Sequence, residues 1–436
     1  MKGNTFQIII MAVFGVAIVG AVFMFSGLIK KPGASKSNEP QGTITLWGTV
    51  DQNEMNQFLE KFNLGKKYQV IYTKKAEENF DHDLVEAFAS GEGPDLFLLS
   101  SDSVRRFGTR VVKIPYTTYS ERTMRDTFVS ETSLFLDPDG IVALPFMIDP
   151  MVMYWNRSIF ADAGKSVPPT YWEDFPELVS LMTQKNDSGV IGKSAVALGQ
   201  FDNIAHAKDL MALLIKQAGN PITERVQDGS LQVRIGMPIS GTDIYPAEQA
   251  MVFYSQFSDP AKPTYAWNRA MALDRDLFLA SKLGVYFGYA SELFDLQAKN
   301  PNLDFDVAMI PQLKSQTSKT TFGKLSGLAI SKFSKNPTTA FYAAKEMTES
   351  ASQTEVSNIF LTPPIRRDLL SFPPVNPYAV TFYNSALVAS GWIDPSPDDT
   401  KKIFRTMLDN IHTNALNVRA SVQNAGSQIG LLLMPT

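Results

Sequence analysis

Short apolar runs alternating with amphipathic stretches predict an α/β protein with a parallel or mostly parallel sheet and helices on both sides. Three observations carry this. From Thr43 onward the hydrophobic period switches repeatedly between that of a strand and that of a helix. The 436 residues suit two or three domains at about 100–200 residues each. A hydrophobic share of 44% with 19% charged residues fits a folded globule, and argues against wholesale disorder and a polytopic membrane protein.

Before the sheet begins, Phe6 to Ile29 forms an uncharged run of 24 residues. As a helix it would reach about 36 Å, enough for a hydrocarbon layer of about 30 Å. A cleaved signal peptide has a shorter core and a small-residue cleavage site, so a single transmembrane anchor is the first expectation and a cleaved signal the second. Lys2 lies before the run and Lys30, Lys31 and Lys36 after it, a count that mildly favours a cytoplasmic body. Residues 30–42 are small, polar and Pro/Gly-bearing, a flexible tether.

The body opens with strand Ile44–Trp47, then a helix over Asp51–Phe62 with Met55, Phe58, Leu59 and Phe62 on one face. Strand Tyr68–Tyr72 follows, then helix Asp81–Ser90 with Leu84, Val85 and Phe88 inward and Gly91 as its stop. Asp95–Leu99 is continuously apolar, as a strand buried on both faces is. Ile141–Pro145 and Met151–Trp155 read as two stretches separated by Phe146–Pro150. Helices are expected at Thr170–Thr183, His206–Ala218, Ala247–Phe257, Arg275–Ser281, Ser291–Asn300 and Pro337–Thr348, and strands at Leu283–Phe287, Phe305–Ile310 and Ser326–Ile330. The last 80 residues read as loops and two or three helices, and no repeat of 20–50 residues is visible.

Composition removes several chemistries. There is no cysteine, hence no disulfide, thiolate nucleophile, Cys-ligated metal or lipidated cysteine. The chain carries a formal charge of −4, and residues after the tether hold 36 basic against 43 acidic side chains, the reverse of a nucleic-acid binder. His82, His206 and His412 show no metal-ligand spacing. The GKS at Gly192–Ser194 lacks the earlier glycine of a phosphate loop, whose place Asp187 takes. No nucleophile elbow or dinucleotide turn occurs, no cofactor is implied, and no pair of carboxylates stands out for glycoside hydrolysis.

Aromatics at strand ends and in polar loops do stand out: Trp47, Trp267, Tyr289 and Trp392. Such faces suit the apolar C–H side of a sugar ring, with hydroxyl edges meeting polar side chains. The competing role for each is plain core packing, which is the favoured role of Trp155 and Trp172. Ser100, Ser101 and Asp102 follow the third strand, where they face a cleft or cap the next helix.

The order of segments resembles the extracellular solute-binding proteins of ABC importers, the family that includes sugar- and maltose-binding proteins. The residues that carry this are Ile44–Trp47, the passage AFASGEGPDLFLLS ending at Ser100, ALPFMIDPMVMYWNRSIFADAG ending at Gly164, PPTYWEDF ending at Phe175, LFLASKLGVYFGY ending at Tyr289, Asp306–Pro311, and Gly323–Ser331. The resemblance implies a two-lobed periplasmic-binding-protein-like fold with hinge crossings near Pro145–Met151, Ile310–Gln312 and Ser350–Thr354. Lobe one would be residues 43–147 plus 311–350 and lobe two 148–310 plus 351–436. It also implies a non-enzymatic body, exported to the outer face of the cytoplasmic membrane, that closes over a small solute and delivers it to an ABC permease; the body itself reads as self-sufficient as a monomer.

The same resemblance supplies candidate ligand contacts: Trp47, Ser101 and Asp149, Tyr289 on lobe two, and Ser326 beside the cleft. Phe201, Asp202, Trp267 and Trp392 are added by loop position. Here GYA replaces the family's small-residue helix start, and GKLSG its paired glycines. A sugar is the first expectation for the solute; peptides, polyols and glycerophosphodiesters share the scaffold. Two other classes stay open: a membrane-anchored sensor or structural module of the same fold, and a glycoside hydrolase, which requires two carboxylates or a Ser/His pair converging in the cleft.

Overall fold

The computed structural model describes residues 40–434 except 227, 228, 373 and 375. The expected anchor at residues 6–29 and most of the tether lie outside the described residues. Among the described residues no helix is long and apolar enough to cross a membrane.

The body opens as its hydrophobic periods predict. Strand β1 (Gly42–Gly48), helix α1 (Gln52–Asn63), β2 (Tyr68–Lys74), α2 (Phe80–Ser90) and β3 (Leu96–Ser100) follow in order. Asp51 starts α1 by accepting the Asn53 and Glu54 amides at 2.8 and 3.4 Å, and the helix buries Met55, Phe58, Leu59 and Phe62. Gly91 ends α2 at φ +73°, a conformation that costs strain with a β-carbon. β1 pairs in parallel with both β2 and β3.

Next come β4 (Leu144–Asn156), β5 (Ile191–Val196), α3 (Ala207–Gln217), β6 (Leu283–Tyr289), β7 (Phe305–Met309) and β8 (Gly323–Ile330). One nine-stranded sheet runs β2-β1-β3-β8-β4-β6-β5, closed by Gln184–Lys185, with β7 also on β4. It is parallel within β2-β1-β3 and β6-β5 and antiparallel wherever β4 or β8 takes part, so the expected parallel character is local. The two stretches expected around Phe146–Pro150 form one strand of 13 residues. Backbone pairing of residues 147–150 with β8 keeps the Asp149–Pro150 step extended and overrides its local turn signal.

Two cores flank this long strand, the two lobes of the molecule. Ile148 packs into the first with β1–β3, while Met151, Val152 and Met153 pack into the second. The change of core thus takes three residues of β4. The return crossing was expected at Ile310–Gln312. Gln312 instead exchanges backbone hydrogen bonds with Thr170 and Trp172 of the second lobe, and the chain changes core between Phe322 and Leu325.

Helices α4 (Pro337–Met347) and α5 (Ser350–Phe360) both pack on the first core, as do Ile365 and Leu370. The third crossing, expected near Ser350–Thr354, therefore falls later. In α6 (Pro377–Leu387) Phe382 lies in the second core and Ala386 in the first, and Ala389 is first-core whereas Trp392 is second-core. Helices α7 (Pro397–His412) and α8 (Val418–Leu433) complete the second lobe. After residue 361 the described chain holds four helices, Arg367–Leu370 among them, rather than two or three.

Candidate functional site

The topology brings the carboxyl ends of strands from both lobes to one place. β1, β2 and β3 end at Gly48, Lys74 and Ser100; Ser100 pairs with Ser326 of β8, which pairs in turn with Met147 of β4. From the other lobe, β6 ends at Tyr289, opposite Met151. In open α/β sheets this is where ligands sit. Alternation along the two shared strands sends Ile148 and Leu325 into the first core, both 0% exposed, and leaves Met147, Asp149, Lys324 and Ser326 on an accessible face.

On the second lobe a cavity of about 360 Å³ opens beside this strip, lined among others by Phe201, Asp202, His206, Lys208, Asp209 and Lys324. The first turn of α3 supplies Lys208 and Asp209. The Tyr289 hydroxyl donates to Asp209 Oδ2 at 2.7 Å, and Lys324 Nζ stands 4.2 Å from the Tyr289 ring centre. Burial pushes the Tyr289 phenol well above its ordinary pKa, and the Asp209 carboxylate adds to that.

Below the cavity a charged network fixes the end of β6. His206 Nε2 meets Glu292 Oε1 at 2.7 Å, the Tyr286 hydroxyl donates to Glu292 Oε2 at 2.6 Å, and the Tyr289 amide donates to Oε1 at 2.9 Å. Burial acts to raise the Glu292 pKa, but these partners outweigh it and hold the carboxyl at about 2. Asp149 accepts the Ser291 amide at 3.0 Å and its hydroxyl at 2.6 Å, joining the hinge strand to the second lobe. Its carboxyl is shifted upward, because burial outweighs the Ser291 donors and the Lys324 charge.

On the first lobe, Trp47 is partly buried at the end of β1 with Lys75 Nζ 3.9 Å from its ring centre. Ser101 is 7% exposed in the turn after β3; Ser100, at the N-cap of that turn, makes no side-chain capping bond. Trp47 and Ser101 thus stand at first-lobe strand ends, Asp149 and Ser326 on the shared strip, and Phe201 and Asp202 in the second-lobe cavity. The Phe201 ring has the Arg405 guanidinium 5.4 Å away, and Arg405 pairs with Asp202 at 2.7 Å.

Two of the sequence candidates stand apart. Trp267 is 0% exposed in the second core, with its indole N–H on Asn203 Oδ1 at 3.0 Å, so no face is open to a ligand. Trp392 is buried against Phe404 and does not line the cavity. Tyr289 is at the expected place, but at 2% exposure it is a floor under Lys324 rather than an open platform. Sequence reasoning missed three cationic residues, Lys75, Lys208 and Lys324, and the carboxylate of Asp209. Lys324 did leave a signal, a lysine inside the apolar strand GKLSGLAI. A Ser/His pair does occur, Ser258 Oγ to His412 Nε2 at 2.9 Å. The Ser258 hydroxyl also lies 3.0 Å from the Ser255 carbonyl, and neither residue lines the cavity.

Residues 56–379 match the family described as bacterial extracellular solute-binding protein, and the chain belongs to it. A maltotriose-binding protein of Pyrococcus abyssi is 21% identical over 154 residues, which is 34% of this chain and 32% of that protein. The alignment thus spans about a third of that relative. Among solved structures, the cyclic α-maltosyl-1,6-maltose binding protein of Arthrobacter globiformis superposes with a TM-score of 0.73 at 16% identity, covering 90% of this chain and 98% of that one. An ABC transporter solute-binding protein of Thermotoga lettingae, bound with α-D-tagatose, gives 0.68 at 17% identity, covering 90% and 100%. At these identities the structural likeness speaks for the two-lobed α/β fold.

Proposed function

We propose that this chain is an extracytoplasmic receptor that takes a carbohydrate between its two lobes and delivers it to an ABC permease. The observation that carries this is the convergence of strand ends from both lobes on the accessible strip of Met147, Asp149, Lys324 and Ser326, beside the second-lobe cavity. Carboxylates and ammonium groups there match the hydroxyl edges of a saccharide, and the partly exposed Trp47 ring matches its C–H face. The names of the relatives, which bind maltotriose, a cyclic maltosyl-maltose and tagatose, support a sugar. Binding without transformation is supported by the family, whose description is that of a solute-binding protein.

In this reading Trp47, Ser101, Asp149, Lys324 and Ser326 contact the solute, with Tyr289 and Asp209 behind them. The lobes close over it because contacts from both lobes exist only when they are together. The apolar run at residues 6–29 supports a single-pass anchor that holds a monomeric body on the outer face of the cytoplasmic membrane.

The test is thermal unfolding of the full chain, in a detergent without a sugar headgroup, against maltotriose, mannobiose, tagatose, polyols, peptides and glycerol phosphates. A saccharide at 100-fold its Kd adds about 2.7 kcal/mol, a shift of a few degrees. A shift only with a non-carbohydrate overturns the sugar assignment; no shift with any of them overturns the solute reading.

A further inference from the structure

The third crossing is held at a single peptide. The Gly391 N–H donates to both carboxylate oxygens of Glu131 at 2.6 Å, from the first-lobe turn Ser130–Phe135. From the other side Lys216, in the last turn of α3, donates through Nζ to the Gly391 carbonyl and to Ser390 Oγ at 2.7 Å. Glu131 is 2% exposed, and a β-carbon on residue 391 would push its carboxylate out of this position, so glycine is what lets the two approach. Burial pushes the Glu131 carboxyl up and the Lys216 amine down, the mark of charges that cost desolvation. Removing either side chain would leave a peptide group of Gly391 without its partner.

Helix α3 carries this grip to the ligand cavity. The residue after Lys216, Gln217, accepts the Trp172 indole N–H at 2.6 Å and donates to the Pro311 and Thr320 carbonyls at 3.1 and 2.8 Å, on the segment that leads into the second crossing. At its other end α3 supplies Lys208 and Asp209 to the cavity, and Lys208 Nζ bonds Asp394 Oδ2 at 2.6 Å, three residues past Gly391. One helix of 11 residues, about 16 Å long, thus touches the cavity with its first turn and both crossing segments with its last.

We propose that Glu131 and Lys216, which do not line the cavity, are positioning residues that clamp Gly391 between the lobes and set the equilibrium between open and closed forms. The lobes cannot rotate about this peptide without breaking one of the two grips, and α3 makes the strength of the grip felt at the cavity. The affinity consequence rests on the solute reading given above; the clamp itself does not.

The chain has no cysteine, so a labelled pair is clean. Gln57→Cys on α1 and Asp162→Cys on the second-lobe helix Arg157–Asp162, both exposed, carry spin labels on the full chain in detergent. Lys216→Met is expected to shift or broaden the ligand-free interlobe distance distribution and to weaken maltotriose binding by about fivefold or more, with Lys216→Arg restoring both. Glu131→Ala is expected to act like Lys216→Met. Ser390→Ala, which removes one bond of the clamp, is expected to move the distribution the same way and serves if the larger changes prevent folding. Distance distributions unchanged in the folded variants overturn the clamp, whatever the binding result. A changed distribution in a chain that binds none of the tested saccharides leaves the clamp standing and overturns the sugar reading instead.

Discussion

Each lobe brings to the cleft an aromatic ring with a lysine ammonium over it, yet the two rings are built into their lobes differently. On the first lobe Trp47 is half-buried at a strand end, and Lys75 is its cover. On the second, Tyr289 is 2% exposed, tied by its hydroxyl to Asp209 and roofed by Lys324. In the proposed site a solute would reach the Trp47 face by displacing one flexible side chain, whereas the Tyr289 ring would support the groups that meet it. The same residue class at the same topological position thus serves as a surface in one lobe and as scaffold in the other, according to how much core stands behind it.

The sharpest way to break that contrast is stability. Trp267→Ala, in the second core, should cost about 3–5 kcal/mol in denaturant unfolding, and Trp47→Ala about 1 kcal/mol. Equal losses would mean that Trp47 is core as well.

Next in size is the group that joins the lobes. Burial pushes the Glu131 carboxyl from its ordinary 4.5 up to about 7. A raised folded-state pKa means the folded chain holds this proton more tightly than the unfolded one. The stabilising effect is full below about pH 4.5 and is lost as pH rises through about 7. Relative to Glu131→Gln, the wild type should therefore lose up to about 3 kcal/mol across that window. Unfolding free energies of both proteins from pH 4.5 to 8 check this, and a constant difference would contradict it.

Ligand affinity sharpens the contrast further. Trp47→Ala should weaken saccharide binding about tenfold, or about 1.4 kcal/mol, measured by calorimetric titration. Tyr289→Phe keeps the ring and loses only the bond to Asp209, which should lower stability by about 1 kcal/mol and change affinity less than Trp47→Ala does. The smallest effect belongs to the first lobe: Asp51→Ala removes the N-cap of α1 and should cost about 1 kcal/mol with affinity unchanged.

Legibility in the sequence followed the range of the forces involved. β1, α1, β2, α2 and β3 could be read residue by residue, because each buries a face set by its own period and ends at its own cap or glycine. Tyr289 was legible as a strand end, whereas Asp149 and Ser326 came only through the family resemblance, because both lie inside strands whose extent no local pattern delimits. Trp267 and Trp392 misled because a polar, Pro-bearing loop looks the same in sequence whether its tryptophan faces solvent or core. Lys75 escaped notice because nothing local says what a lysine tip will reach, and Lys324, although it interrupts an apolar strand, gives no local hint of the ring it covers.

By itself the sequence determined an α/β body, its acidic balance, the absence of thiol chemistry, the apolar run at residues 6–29 and the order of most elements. These are properties of composition and of periods that span only a few turns. Tertiary structure alone decided that residues 144–156 form one strand shared by two cores, that the crossings lie at 322–325 and 386–392, and that Glu131, Gly391 and Lys216 meet. Those outcomes depend on pairings between segments up to 260 residues apart. No local pattern encodes such a contact; only the packing of both cores around the same strand does.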